Sequence, residues 1–347
     1  MPAAWQCWPD NADHALYAHQ WGVGERMQLI PEQDGRGRMA AITRRLGNLF
    51  LAAILVAGLG MPTAWAGDAD ILVLGRISDD PSTHYEQLKP LLDYVVPRMA
   101  EVGIREGRIL MAKDPQQMAS YLRRERVDWV TETAGSAAML AERADARPLL
   151  VTERDGESRY HSVFFARTDS GITDIEALQG LRIAFQRSTS TSAYFIPAGQ
   201  LLRSGAELEI LMSPLDTVSS DALAYLFARS ELNIATWVHK GLVDVGVMSN
   251  LDWENPRRMP AAFKQDMRLI GRSEEFPRAL ELVRKDLDPK VRTRLREVLL
   301  SAADDPQASA ALHEFFGTTR FLPLDEEARR ELAEVQALVR LVREKVE

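Results

Sequence analysis

Five consecutive hydroxyl residues, Ser188-Thr189-Ser190-Thr191-Ser192, stand between an apolar run ending at Phe185 and the apolar segment Ala193-Tyr194-Phe195-Ile196. A strand, a hydroxyl-rich turn and a helix start, in that order, bring unpaired backbone N–H groups next to short side-chain donors. The positive end of the helix dipole adds to them, so the arrangement attracts anions. Arg187 adjoins the run and either adds charge or faces solvent. A plain N-cap with surplus polar loop residues accounts for the same pattern. The run alone leaves both readings open.

Strands and helices must hold that turn in place. Asp70-Ile71-Leu72-Val73-Leu74-Gly75 is a short apolar run ending in glycine, the pattern of a buried strand. Apolar residues at Leu88, Leu91, Leu92, Val95, Val96 and Met99 have helical spacing over Tyr85 to Val102. Arg108–Ala112 and Val127–Val130 read as strands, and Asp114-Pro115 as a cap and first residue of a helix to about Arg124. A helix over 135–144 and strands at Leu149–Val151 and Ser162–Ala166 follow. Thr173 and Glu176 have capping-box spacing for a short helix ended by Gly180. Strands at Leu181–Phe185 and Val243–Met248 come next, then helices over Pro289–Leu300 and Glu326–Val346. This alternation predicts a parallel or mixed sheet with helices on both faces.

The 347 residues are 46% hydrophobic and 27% charged, an ordinary globular balance that excludes collagen-like and wholly disordered chains. The length suggests about two domains. A net charge of −8 argues against a nucleic-acid binder, although it leaves room for a local anion site. With one cysteine there is no internal disulfide and no cysteine-based metal cluster. His84, His161, His239 and His313 are scattered without metal-ligand spacing. No metal or cofactor is expected.

Arg44-Arg45, the apolar run Leu49–Ala57 and the small-residue end Ala64-Trp65-Ala66 form a secretory signal peptide by pattern. The run is shorter than the ~20 apolar residues of a membrane span. Signal peptides begin near a start codon, so Met39 is expected to be the start, with 1–38 a non-native leader and 39–66 the signal. The mature chain Gly67–Glu347 then lacks cysteine and keeps its charge of −8, because residues 1–66 hold five arginines and five acids. Its expected location is the periplasm.

The segment Ser190-Thr191-Ser192-Ala193-Tyr194-Phe195-Ile196-Pro197 resembles the Ser-Thr-Ser-Gly-x-x-x-Pro motif of the phosphonate, phosphite and phosphate-binding proteins of ABC importers. Gly75-Arg76-Ile77-Ser78 with Tyr85, Leu88, Pro90 and Leu91 resembles that family's first strand and helix. Tyr160-His161-Ser162 resembles its strand into the second lobe, Gly241–Gly246 its Gly-x-x-Asp-x-Gly strand, and Phe276-Pro277 with Arg284–Leu287 its return segment. The resemblance implies a bilobal type II periplasmic-binding-protein fold, with two α/β mixed-sheet lobes joined by crossing hinge strands that close on a ligand. The lobes are expected at 67–166 plus 267–347 and at 167–266. Carried over by residue, Ser190, Thr191 and Ser192 would hold a small oxyanion, with Ser78 and Tyr85 approaching from the first lobe. Asn250 and Asp252 would help select the ligand, or cap the next helix.

Two positions depart from the family pattern. Glu132 stands where the family often has a tyrosine, and Ser230 where it has a histidine. A carboxylate repels a dianion. Glu132 therefore faces a cationic part of the ligand, belongs to a site for another ligand, or pairs with Arg76 or Arg187. Trp129, Trp237 and Trp253 read as packing residues. The resemblance implies a monomeric, non-catalytic receptor serving an ABC permease, and no enzyme motif stands against it. A sensory receptor feeding a membrane histidine kinase is the alternative.

Overall fold

The computed structural model describes residues 70–176 and 178–346. The leader expected over 1–38 and the signal peptide expected over 39–66 lie outside the described residues. No described helix is long and apolar enough to cross a membrane.

The first sheet is built from β1 (Ile71–Ile77), β2 (Glu106–Ala112), β3 (Trp129–Glu132), β4 (Arg147–Arg154), β13 (Leu280–Val283) and β14 (Thr318–Pro323), in the order β14-β4-β13-β3-β1-β2. β1 pairs in parallel with β2 and β3, whereas β13 runs antiparallel to β3 and β4. Helices α1 (Pro81–Val95), α2 (Pro115–Arg123) and α3 (Ala134–Ala144) follow the parallel strands. Asp80 and Asp114 cap the first two, each with proline at the first helical position. The helical pattern expected through Val102 changes to a 3-10 turn from Val96. Pro97 has no N–H to continue the α-helical ladder.

The second sheet repeats the plan with β6 (Ser162–Arg167), β7 (Arg182–Phe185), β8 (Leu208–Ile210), β9 (Leu223–Phe227), β10 (Val245–Ser249) and β11 (Met267–Arg272), ordered β11-β6-β10-β7-β9-β8. α4 (Ile196–Arg203), α5 (Glu231–His239), α6 (Asn250–Glu254) and α7 (Ala261–Lys264) belong to this lobe. The division expected at 166 and 267 falls elsewhere, because β6 and β11 both pair within the second sheet. Residues 173–176 form bends rather than the expected helix, and the Asp174 side chain accepts from Glu176 N instead.

Between the sheets, β5 (Arg159–Tyr160) pairs antiparallel with β12 (Phe276–Pro277), so the two crossing segments form a small ladder. The Tyr160 and Phe276 rings lie 4.6 Å apart there. α8 (Pro289–Ser301) and α9 (Ser309–Glu314) complete the first lobe, and α10 (Glu326–Lys345) packs across the junction. Leu338 of α10 lies against Gly199 of α4, where a Cβ would meet Leu338 Cβ at 2.8 Å. Glu334 of α10 bonds Arg203 of the second lobe, Arg343 bonds Glu142 of the first, and Glu331 bonds Arg159 of β5. One apolar core runs continuously from Val130 and Leu140 through Val335 and Leu338 to Phe164 and Phe195. Trp129 and Trp253 are buried in separate apolar clusters, one in each lobe, which makes them packing residues.

Candidate functional site

The carboxyl ends of β1, β3, β7 and β10 converge on an interlobe cleft of about 420 Å³, the position where open α/β sheets take ligands. Arg76, Ser78 and Asp79 come from the end of β1, Glu132 and Thr133 from β3, Arg154 from β4 and Tyr160 from β5. The second lobe contributes Gln186, Arg187 and Thr189–Ser192 after β7, Glu231 at the start of α5, and Ser249 and Asp252 after β10.

The hydroxyl run has an unusual geometry. A π-helical turn, Thr191–Phe195, precedes α4. Pro197 cannot donate an N–H to the Ala193 carbonyl, which accepts from Gln186 N at 3.0 Å instead. Ser190 caps the turn by accepting from Ala193 N at 3.2 Å. The Ser162 hydroxyl donates to Ser192 O at 2.7 Å, and Tyr160 is hydrogen-bonded to the Ser192 side chain. Burial pushes the Tyr160 phenol up to about 12, so it remains protonated. Thr191 is buried, accepts from Gly135 N of α3 at 2.9 Å and donates to Thr133 Oγ1 at 3.0 Å. Its hydroxyl thus joins the lobes, while Ser190 and Ser192 line the cleft opposite Ser78.

Ser78 is hydrogen-bonded to His84 Nδ1 at 2.7 Å. Burial, reinforced by Arg76, holds the His84 pKa below its ordinary value, so the ring is neutral at pH 7. Glu132 is buried and accepts from Ile77 N at 2.7 Å. Burial pushes its carboxyl up against the opposing pull of Arg76 and nearby N–H groups. The pairing expected with Arg187 does not form, because Arg187 bonds Asp79 across the mouth of the cleft. Arg76 donates to Thr131 O at 3.0 Å and acts on Glu132 through its field.

Two expected contacts stand away from the cleft lining. Tyr85 is 41% exposed on α1. The Asn250 side chain accepts from His161 N at 3.0 Å, bracing the start of β6. Asp252 lines the cleft and accepts from Ser249 Oγ at 2.5 Å. Ser230 caps α5 by accepting from Asn233 N at 3.2 Å. Arg154, Arg278, Lys113, Gln186 and Glu231 also line the cleft and went unread in the sequence. Arg154, which closes β4 and is separated from the apolar run Leu149–Val151 by Thr152 and Glu153, carried the one usable signal. Glu231 accepts from Gln186 at 2.5 Å and is pushed up by burial and by Asp252.

Arg76, Lys113, Arg154, Arg187 and Arg278 outnumber Asp79, Glu132, Glu231 and Asp252, so the lining is cationic despite the acidic chain. A larger concavity of about 670 Å³ beside α10 is lined by five glutamates, Glu274, Glu275, Glu327, Glu331 and Glu334, against Arg272 and Arg330, so its charge balance disfavours anions. Among the described residues, no group of three or more His, Cys, Asp or Glu is placed to hold a metal.

A family profile described as the phosphonate periplasmic substrate-binding protein of ABC transporters matches residues 75–328. The chain belongs to this family. It is also 54% identical to XAC2383 of Xanthomonas citri bound to chloride, over 80% of this chain and 100% of that one, with a TM-score of 0.77. XAC2383 bound to ATP matches at 53% identity, with the same coverage and a TM-score of 0.76. PhnD1 of Prochlorococcus marinus in complex with methylphosphonate is 17% identical over 77% of this chain and 97% of that one. Its TM-score of 0.55 supports the fold alone. The family fold is the bilobal, mixed-sheet type II receptor expected from the sequence.

Proposed function

We propose that the protein is exported by a cleavable signal peptide ending near Ala66 and captures a small phosphorus oxyanion in its interlobe cleft for delivery to an ABC permease. Ser78, Ser190, Ser192, Arg76 and Arg154 are the contacts, and Thr191 holds the lobes together around the ligand. The observation that carries this reading is the convergence of cationic and hydroxyl donors at the strand ends in a solute-binding family. Support also comes from XAC2383, solved with ATP, a ligand with tetrahedral P–O groups. Membership of a transport family favours delivery to a permease over a sensory role.

Titration calorimetry of residues 67–347 with phosphate, phosphite, methylphosphonate and 2-aminoethylphosphonate tests the ligand class. Saturable binding of at least one supports the reading, and heat from none of them removes it. N-terminal sequencing of the periplasmic product tests export, with Gly67 the expected first residue.

A further inference from the structure

Arg76 and Arg154 approach one aromatic ring. The Arg76 guanidinium carbon lies 4.3 Å from the Phe316 ring centroid, and that of Arg154 lies 4.7 Å from it. His84 meets the same ring edge-on at 5.6 Å. Phe316 sits in the turn between α9 and β14 with φ of +56°, a left-handed conformation that bulky residues seldom adopt. An outlier of this kind persists where the surrounding structure enforces it, commonly beside a binding site.

The guanidiniums are incompletely used. Arg154 is more than nine-tenths buried, yet its Nε has no hydrogen-bond partner, and the buried Nε of Arg76 also has none. The nearby carboxylates are occupied elsewhere. Glu281 accepts from Trp129, Thr131 and Thr152, and Glu132 accepts from Ile77 N. Burial and the adjacent Arg76 pull the Arg154 pKa down to about 9, which leaves it cationic at neutral pH. A planar guanidinium is suited to bidentate contacts with phosphate oxygens. The unmet N–H groups and the two charges of this pair stand in the cleft in addition to the hydroxyls of Ser78, Ser190 and Ser192.

We propose that Arg76 and Arg154, held side by side by the positioning residue Phe316, recognise a second phosphoryl group, so that the cleft prefers ligands with two or more linked phosphates. The ring's negative face offsets part of the repulsion between the two cations and fixes their planes. This inference rests on the oxyanion reading of the cleft and narrows it to a ligand class.

Calorimetry of residues 67–347 with methylphosphonate, pyrophosphate, tripolyphosphate and ATP tests it. Tripolyphosphate is expected to bind at least about tenfold tighter than methylphosphonate, the scale of one added charged hydrogen bond. Phe316→Leu should lower that preference by about tenfold or more, and Phe316→Tyr, which keeps the ring, should retain it. If Phe316→Leu fails to fold by circular dichroism, Arg154→Gln takes its place with the same expected loss of preference. Tight binding of ATP but not tripolyphosphate would move recognition to the nucleoside and overturn the proposal. So would a methylphosphonate affinity equal to that of tripolyphosphate, or an equal loss for both ligands in the variant. Binding of none of the four would remove the oxyanion reading itself, which separates the two failures.

Discussion

The Thr191 hydroxyl of the second lobe accepts a 2.9 Å hydrogen bond from the Gly135 N–H of the first. The two segments approach so closely that a Cβ at position 135 would lie 2.8 Å from Thr191 Oγ1 and 3.1 Å from Phe195 Cδ2. Gly135→Ala is therefore expected to wedge the lobes apart and weaken ligand binding by about 1–3 kcal/mol, the scale of overpacking a tight contact. Small-angle scattering in the presence of ligand should show a larger radius of gyration. A radius and affinity equal to those of the parent would refute the wedge.

Thr191→Val removes the hydroxyl and leaves Gly135 N without its partner. Affinity should fall by about 1–3 kcal/mol, the cost of an unsatisfied buried donor. The thermal midpoint of the unliganded protein should move little, since the lost bonds join the lobes rather than stabilise either one. A large drop in midpoint without ligand would place the bond in the resting fold.

Glu132 sits among the cleft's donors with its carboxyl pushed up by burial. Its charge disfavours a bound dianion, and because its pKa is raised it takes up a proton at higher pH than an ordinary carboxyl. Glu132→Gln should therefore tighten phosphonate binding at pH 7 by about 1–3 kcal/mol, the Coulomb scale at short range in a partly polar site. The advantage should shrink as pH falls through the raised value and the parent carboxyl becomes neutral. Calorimetry of both proteins from pH 8 to 5 measures the difference, from which the ligand's own titration cancels. A gap that stays constant or widens on acidification would show that Glu132 acts by another route.

The buried Glu281 accepts from Trp129 Nε1 at 2.5 Å, Thr131 Oγ1 at 2.9 Å and Thr152 Oγ1 at 2.7 Å. Burial pushes its pKa up, although these donors and Arg154 favour the charged form. Glu281→Ala should cost about 3–5 kcal/mol of stability, because it strands three donors and leaves Arg154 with less compensating charge. Urea unfolding monitored by circular dichroism reads the loss directly. A change below 1 kcal/mol would contradict the described network.

Much of this arrangement was legible in the sequence, and the failures share a cause. Asp114-Pro115 marks its helix because cap chemistry is local, and the serine run falls at the cleft because strand-turn-helix order is local too. Ser78, Ser190, Ser192 and Glu132 follow from matching those segments to a family pattern. The association of Arg154 with Phe316 was invisible, because one closes β4 and the other precedes β14, 162 positions later in the chain. Only the pairing of β14 with β4 brings them together. Thr191 was expected at the ligand, and its bond to Gly135 required knowledge of how one lobe meets the other. Asn250 carried the right residue type at the right strand end, but its side chain turns to His161 N.

α10 has bonds to Arg203 in one lobe, to Glu142 in the other and to Arg159 in the crossing ladder. Any opening of the cleft must stretch or re-form some of these contacts, which lie outside the cleft. The equilibrium between open and closed forms is thus part of the energy with which a ligand is held. A lineage carrying this fold can raise or lower its affinity through surface changes at Glu334 or Arg343 while every ligand contact stays the same. Two such receptors with identical clefts can differ in how long they retain their cargo.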